Sequence, residues 1–171
     1  DLLIMLHTTD LRKKAVYSFM AMMEQIHAKS YSHIFTTLLP SSETNYLLDT
    51  WVIEEPHLKY KSDKIIDNYH KLWGKEASIF DQYIARVSSV FLETFLFYSG
   101  FYYPLYLAGQ GKMTTSGEII RKILLDESIH GVFTGLDAQS LRNELSESEK
   151  QKADQEMYIY NLMNFVHLSH G

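Results

Sequence analysis

Apolar residues recur at helical spacing through most of this chain, and no stretch shows the strict alternation of a half-buried strand. Thr8-Thr9-Asp10 has the residue types of a helix start. From there Val16, Phe19, Met20, Met23, Ile26, Ile34 and Leu38 keep the helical period until Pro40 ends it. Ser41-Ser42-Glu43 opens a shorter helix reaching about Trp51, and Glu54-Glu55-Pro56 marks a turn. A helix of mixed surface follows from about His57 to Leu72, with Gly74 closing it. The next, from about Glu76 to Leu107, is the most apolar, and Gly109-Gln110-Gly111 ends it. Thr114-Thr115-Ser116-Gly117-Glu118 has the composition of an N-cap followed by an acidic residue, and its helix runs to about Leu141. Ser146-Glu147-Ser148-Glu149 starts the last one. With only three prolines and eight glycines in 171 residues, long helices packed as one all-α domain are expected.

Polar residues inside these apolar runs carry the chemistry. Glu24-Gln25-Ile26-His27 and Glu127-Ser128-Ile129-His130 repeat a glutamate and a histidine three residues apart. On a helix such a pair points to one side. Glu93 stands alone in Val90-Phe91-Leu92-Glu93-Thr94-Phe95-Leu96-Phe97-Tyr98. A carboxylate in such a helix needs a partner, because burying an unpaired charge is costly. Arg86, about two turns away, is the ordinary partner; a metal ion is the other. Two Glu-x-x-His pairs and a carboxylate from a third helix make the ligand set of a dinuclear centre in a four-helix bundle. The bland readings are solvated charges for the pairs, weakened by Met20, Met23, Ile26, Ile123, Leu124 and Ile129 beside them.

Composition narrows the chemistry. There is no cysteine, so any metal is held by nitrogen and oxygen, which suits iron or manganese. A net charge of -5 without a basic run argues against nucleic acid and anionic membrane as partners. The run from Val87 to Ala108 is long enough to span a bilayer, but Glu93, Ser99, Gly100 and Pro104 make it a buried central helix instead. Asp1 to Leu6 is too short and lacks the basic start of a secretory signal.

Three segments resemble a known family. His27-Ala28-Lys29-Ser30-Tyr31-Ser32-His33-Ile34-Phe35, Phe95-Leu96-Phe97-Tyr98-Ser99-Gly100-Phe101 and Arg121-Lys122-Ile123-Leu124-Leu125-Asp126-Glu127-Ser128-Ile129-His130-Gly131 are similar to the radical-generating small subunit of ribonucleotide reductase, class Ib in flavour. The resemblance covers roughly residues 12 to 155. It implies a single all-α, ferritin-like domain over 1–171, with 1–11 and 156–171 atypical. It also implies two iron or two manganese ions, with Glu24, His27 and Glu127 at the first and Glu93 and His130 at the second. Glu24 and Glu127 would bridge them.

By the same resemblance Tyr31 holds a stable radical inside a pocket of Phe97, Phe101, Ile120 and Ile123. Asp126 links a metal-bound histidine to a long-range radical path. The implied partners are a second copy of the chain, the reductase large subunit and a flavodoxin-like activating protein, all in the cytoplasm. The bland readings are a core tyrosine, ordinary packing and a solvated aspartate.

The family pattern also includes a sixth ligand, an aspartate on a preceding helix. Asp10 lies about 21 Å from Glu24 along one helix, and Asp1 reaches the site only if the chain turns back. The segment Tyr158–His167 does not match the family's following helix, and no docking tail follows it, so the expectation is a central fragment or a truncated or rearranged product. Two other functions compete with radical generation: a ferritin-like dimetal oxidase without a stable radical, and an inactive metal-binding module.

Overall fold

Where the apolar faces of these helices meet decides the architecture. A computed structural model of the chain describes residues 1–74 and 76–168, with side chains as far as Tyr158. Among the described residues every regular element is helical. They are α1 (Leu2–Leu6), α2 (Leu11–Leu38), α3 (Ser41–Asn45), a π-helical segment (Tyr46–Trp51), α4 (Val52–Glu54) and α5 (Pro56–His70). After these come α6 (Ile79–Phe91), a π-helical turn (Leu92–Leu96), α7 (Tyr98–Gly109), α8 (Thr114–Arg142) and α9 (Glu147–Leu168). The fold is the all-α, ferritin-like one. None of these helices is long and apolar enough to cross a membrane.

Local chemistry sets most boundaries. Asp10 accepts the Arg12 backbone N–H at 2.8 Å and starts α2. Glu55 accepts that of Leu58 at 2.6 Å, with Pro56 in the first position of α5. Ser78 caps α6 through the Asp81 N–H at 3.0 Å, so that helix starts at Ile79 rather than near Glu76. Ser146 and Glu149 form a reciprocal capping box at the head of α9.

Two further expectations need correction. The Thr/Ser-rich segment at 114–116 does not cap α8; Met113 sits at the cap in the left-handed region (φ 53°) and offers no side-chain bond. Gly111, at φ 76°, and Met113 make the reversal between α7 and α8. The long apolar helix is also not continuous. At Leu92–Leu96 it widens to π geometry, with the Phe97 N–H reaching back to the Leu92 carbonyl at 3.2 Å.

Helix α8 is central. The chain from α6 through α7 lies along it, α2 packs on it, α5 flanks α6, and α1 folds back on α2. Gly117 permits the α7 approach: a Cβ there would overlap the Ala108 methyl. Three apolar clusters hold the bundle. Ile4, Tyr17, Met20, Leu72 and Ala85 join α1, α2 and α6. Phe80, Tyr83, Ile84, Ala138, Leu145 and Ala153 join α6, α8 and α9. Ile34, Phe101, Ile120 and Ile123 join α2, α7 and α8.

The apolar run along α2 is divided between two faces. Tyr17, Met20, His27 and Ile34 face inward, while Val16, Phe19, Ile26 and Leu38 face outward. Helix α8 likewise turns Leu125, Ile129, Val132 and Leu136 to solvent.

A buried ion network crosses the core. Arg86 is 2% exposed; its Nε donates to Asp137 Oδ2 at 2.6 Å, and its Nη2 donates to Thr8 Oγ1 at 2.9 Å. Lys13 donates to Asp137 Oδ1 at 2.6 Å, and the Tyr17 hydroxyl donates to Oδ2 at 2.7 Å. Burial alone would raise the Asp137 pKa, but the Lys13, Arg86 and Tyr17 donors outweigh it and hold it below its ordinary value.

Removing this carboxylate strands the Arg86 guanidinium. Asp137→Ala should therefore cost about 3–5 kcal/mol of stability, read as a lower denaturant midpoint at unchanged slope. Because the folded pKa is the lowered one, the contribution is complete above the ordinary value of 3.8 and fades as pH falls through the folded value. Wild type and variant should converge in acid. A loss below about 1 kcal/mol at neutral pH would mean that Arg86 finds water instead.

Candidate metal centre

Three elements bring four side chains to one point and a fifth to its edge. One turn of α2 carries Glu24 and His27, one turn of α8 carries Glu127 and His130, and the π-helical turn carries Glu93. Glu24, Glu93, Glu127 and His130 each offer a ligand atom, all within 4.8 Å of one another. His27 stands at the edge of this group, its Nδ1 3.0 Å from Glu127 Oε1 and 3.6 Å from Glu24 Oε2. His130 Nδ1 lies 2.9 Å from Glu24 Oε1 and 3.7 Å from Glu127 Oε2. Each of these two carboxylates therefore faces both imidazoles with separate oxygens.

These approaches are close but not aligned as hydrogen bonds. Glu24 Oε1, His27 Nδ1, Glu93 Oε2, Glu127 Oε2 and His130 Nδ1 are all buried without a hydrogen-bond partner. Leaving five such atoms unpaired is expensive, which calls for a partner of another kind. Converging carboxylate oxygens and imidazole nitrogens without thiolates fit a dimetal-carboxylate centre.

The charges behave accordingly. Burial, the largest influence, pushes Glu93 up to about 7 against the opposing bond from the Ser89 hydroxyl at 2.9 Å. Burial would lower His130, but the Glu127 and Glu24 carboxylates overcome it and raise it to about 10.

The remaining predicted residues gather round this point. His27 Nε2 meets Asp126 Oδ2 at 3.1 Å, a carboxylate behind a proposed ligand histidine. Tyr31 is half-buried, one turn beyond His27. It packs with Phe97 on the cluster of Ile34, Phe101, Ile120 and Ile123. Its pKa is raised, first by burial and then by Glu127 and Glu24, so the phenol keeps its proton.

Several features escaped the sequence reading. Arg86 is not the partner of Glu93; Asp137 takes it. Ser89 supports Glu93 from four residues back, a spacing that could have been searched for. The chain does turn back at its start. Asp1 lines a cavity of about 280 Å³ with Glu24, Gln25 and Tyr69. Both its carboxylate oxygens are buried and unpartnered. Asp10 instead faces Arg12 at the surface.

Metal binding should displace the His130 proton. Adding Mn²⁺ or Fe²⁺ to metal-free protein at pH 7 should release protons, and affinity should rise with pH, about tenfold per unit for each proton lost. Calorimetry in buffers of different ionisation enthalpy measures this. Elemental analysis should find two ions per chain, falling to one in Glu93→Ala and in His130→Ala. A stoichiometry unchanged by both substitutions removes these residues from the ligand set.

Residues 2–166 match a family model described as ribonucleotide reductase, small chain. The chain is 48% identical over 160 residues to the ribonucleoside-diphosphate reductase subunit beta of Bacillus subtilis (strain 168), covering 92% of this chain and 47% of the relative. The protein of the same name in Bacillus phage SPbeta is 48% identical over 158 residues, 91% of this chain and 46% of the relative. The ribonucleoside-diphosphate reductase 2 subunit beta of Escherichia coli (strain K12) is 35% identical over 140 residues, 82% and 41% respectively. The chain thus spans somewhat under half the length of these curated relatives.

Proposed function

The chain belongs to the ribonucleotide reductase small-chain family, and from that membership we propose that it builds the radical-generating centre of a ribonucleoside-diphosphate reductase. One observation carries the reading. Glu24 and Glu127 each face both histidines, and the half-buried ring of Tyr31 packs into the apolar cluster beside them. Glu24, His27 and Glu127 would hold one metal ion, and Glu93 and His130 the other, as two iron or two manganese ions in one ferritin-like domain. When bound and oxidised, the metal pair supplies the one-electron oxidant.

The protein's own residues do the rest. Tyr31 keeps its proton at neutral pH, so its oxidation gives up an electron and a proton together and leaves a neutral phenoxyl radical. Phe97, Phe101, Ile120 and Ile123 line the ring with hydrocarbon and keep water and reductants away from it. Asp126 orients the His27 imidazole through Nε2 and begins the route by which the radical equivalent reaches a large subunit. The large subunit would then reduce ribonucleotides to deoxyribonucleotides. A flavodoxin-like protein is the proposed activator, and the cytoplasm the proposed compartment.

The outward apolar residues of α2 (Phe19, Met22, Ile26) and α8 (Leu125, Ile129, Val132, Leu136) support a homodimer, since such stripes rarely stay in water. Sedimentation at micromolar concentration should show self-association; a clean monomer argues against the dimer.

Electron paramagnetic resonance tests the radical. A version extended to its relatives' length, metal-loaded and oxidant-treated, should give a tyrosyl signal, with little or none from the 171 residues alone. Tyr31→Phe should abolish it and nucleotide reduction while keeping the fold and both ions. A signal that survives the substitution places the radical on another tyrosine. A metal signal without any tyrosyl radical in wild type supports the ferritin-like oxidase instead.

A further inference from the structure

Each of the two proposed ligands of the second metal is followed by a residue of unusual fit. Glu93 is followed by Thr94, and His130 by Gly131. A Cβ built on Gly131 would overlap Thr94 Cγ2, whereas the Thr94 Cβ itself would lie at an ordinary 3.7 Å. No other atom crowds that position. The α8 backbone therefore approaches the π-helical turn with a single methyl group between them, and that methyl belongs to Thr94.

Thr94 is exposed, and one bond holds its rotamer. Its hydroxyl donates to the Val90 carbonyl at 2.5 Å, four residues back. A hydroxyl bond of this kind bends a helix and helps open its ladder. Here it lies at the entry to the π-helical turn that carries Glu93. Rotating Thr94 away from α8 would break that bond.

We propose that Thr94 and Gly131 form a positioning lock, in which the Thr94 methyl seated on the bare Gly131 backbone fixes the π-helical turn against α8 and so sets Glu93 opposite His130. Neither residue touches metal. They act through the backbone, one residue from each ligand. Relieving the overlap created by a methyl on Gly131 takes a shift on the order of 1 Å, several times the ~0.2 Å within which ligand distances must hold. The proposal rests on the dimetal reading above for what the lock positions, but the lock itself is a property of the metal-free chain.

The test moves one methyl group across the contact. Gly131→Ala adds it to α8, Thr94→Ser removes it from the π-helical turn, and the double variant does both. Hydrogen exchange of Leu92–Phe97 in metal-free protein reads the lock, and Mn²⁺ binding reads its consequence. Circular dichroism and the melting temperature report the overall fold.

Gly131→Ala should speed exchange in that segment and weaken the second Mn²⁺ at least tenfold. Thr94→Ser should do so to a smaller degree, and the double variant should return within about threefold of wild type. If Gly131→Ala leaves both readouts unchanged, the lock does not exist. If the double variant fails to recover, the glycine is needed for some other reason, and the proposal falls as well. Should wild type bind no metal, the dimetal reading fails, and so does the lock's role at the site. The exchange pattern then still decides whether the lock forms.

Discussion

Carboxylates leave water only when something positive meets them. Glu93 and Glu127 are almost wholly buried, and Glu24 points an unpartnered oxygen into the same space. The core contains another buried carboxylate, Asp137, whose treatment makes the contrast. Arg86, Lys13 and Tyr17 all donate to it, and its pKa falls. Among the described residues no such set of cationic donors bonds to the glutamates. Two imidazoles are aimed at the same point, and there the pKa values of Glu93 and His130 rise. One site is finished by the protein's own cations. The other is lined by carboxylate and imidazole donors that suit a metal ion.

The bundle arranges itself around that unfinished point. α2 and α8 each expose one turn to it, and Glu-x-x-His spacing suffices because both helices are regular there. The third carboxylate is different. Glu93 comes from the π-helical turn, where the apolar helix widens by one residue. π turns concentrate at functional sites, and this one meets α8 at a glycine. The apolar cluster around Tyr31 lies against the same helices, so the dry pocket and the polar site share walls.

The apolar surface left over also has a physical origin. Residues of one helical period can serve two faces, and α2 and α8 do so. Met20, Ile120 and Ile123 fill the interior, while Phe19, Ile26, Ile129 and Val132 point outward. A hydrophobic period reports that a residue avoids water, not which neighbour covers it. For this reason the run from Val16 to Leu38 keeps a helical period and yet is divided between two faces.

The sequence by itself determined that the chain is helical, several helix ends and the chemistry available to them. Asp10, Pro40, Pro56 and Ser146 act within a few residues of themselves, so their effects could be read without a fold. The Glu-x-x-His pairs were legible for the same reason, since a helix alone puts both groups on one side. The tertiary structure decided what depends on contacts distant in sequence. It gave Arg86 to Asp137 rather than to Glu93, folded α1 back so that Asp1 approaches Glu24, and broke the apolar helix into π geometry at Leu92–Leu96. It also set Glu24 and Glu127 between two histidines a hundred residues apart in the chain. Local patterns record what a segment can form. Which buried charge meets which partner is fixed only when the helices pack.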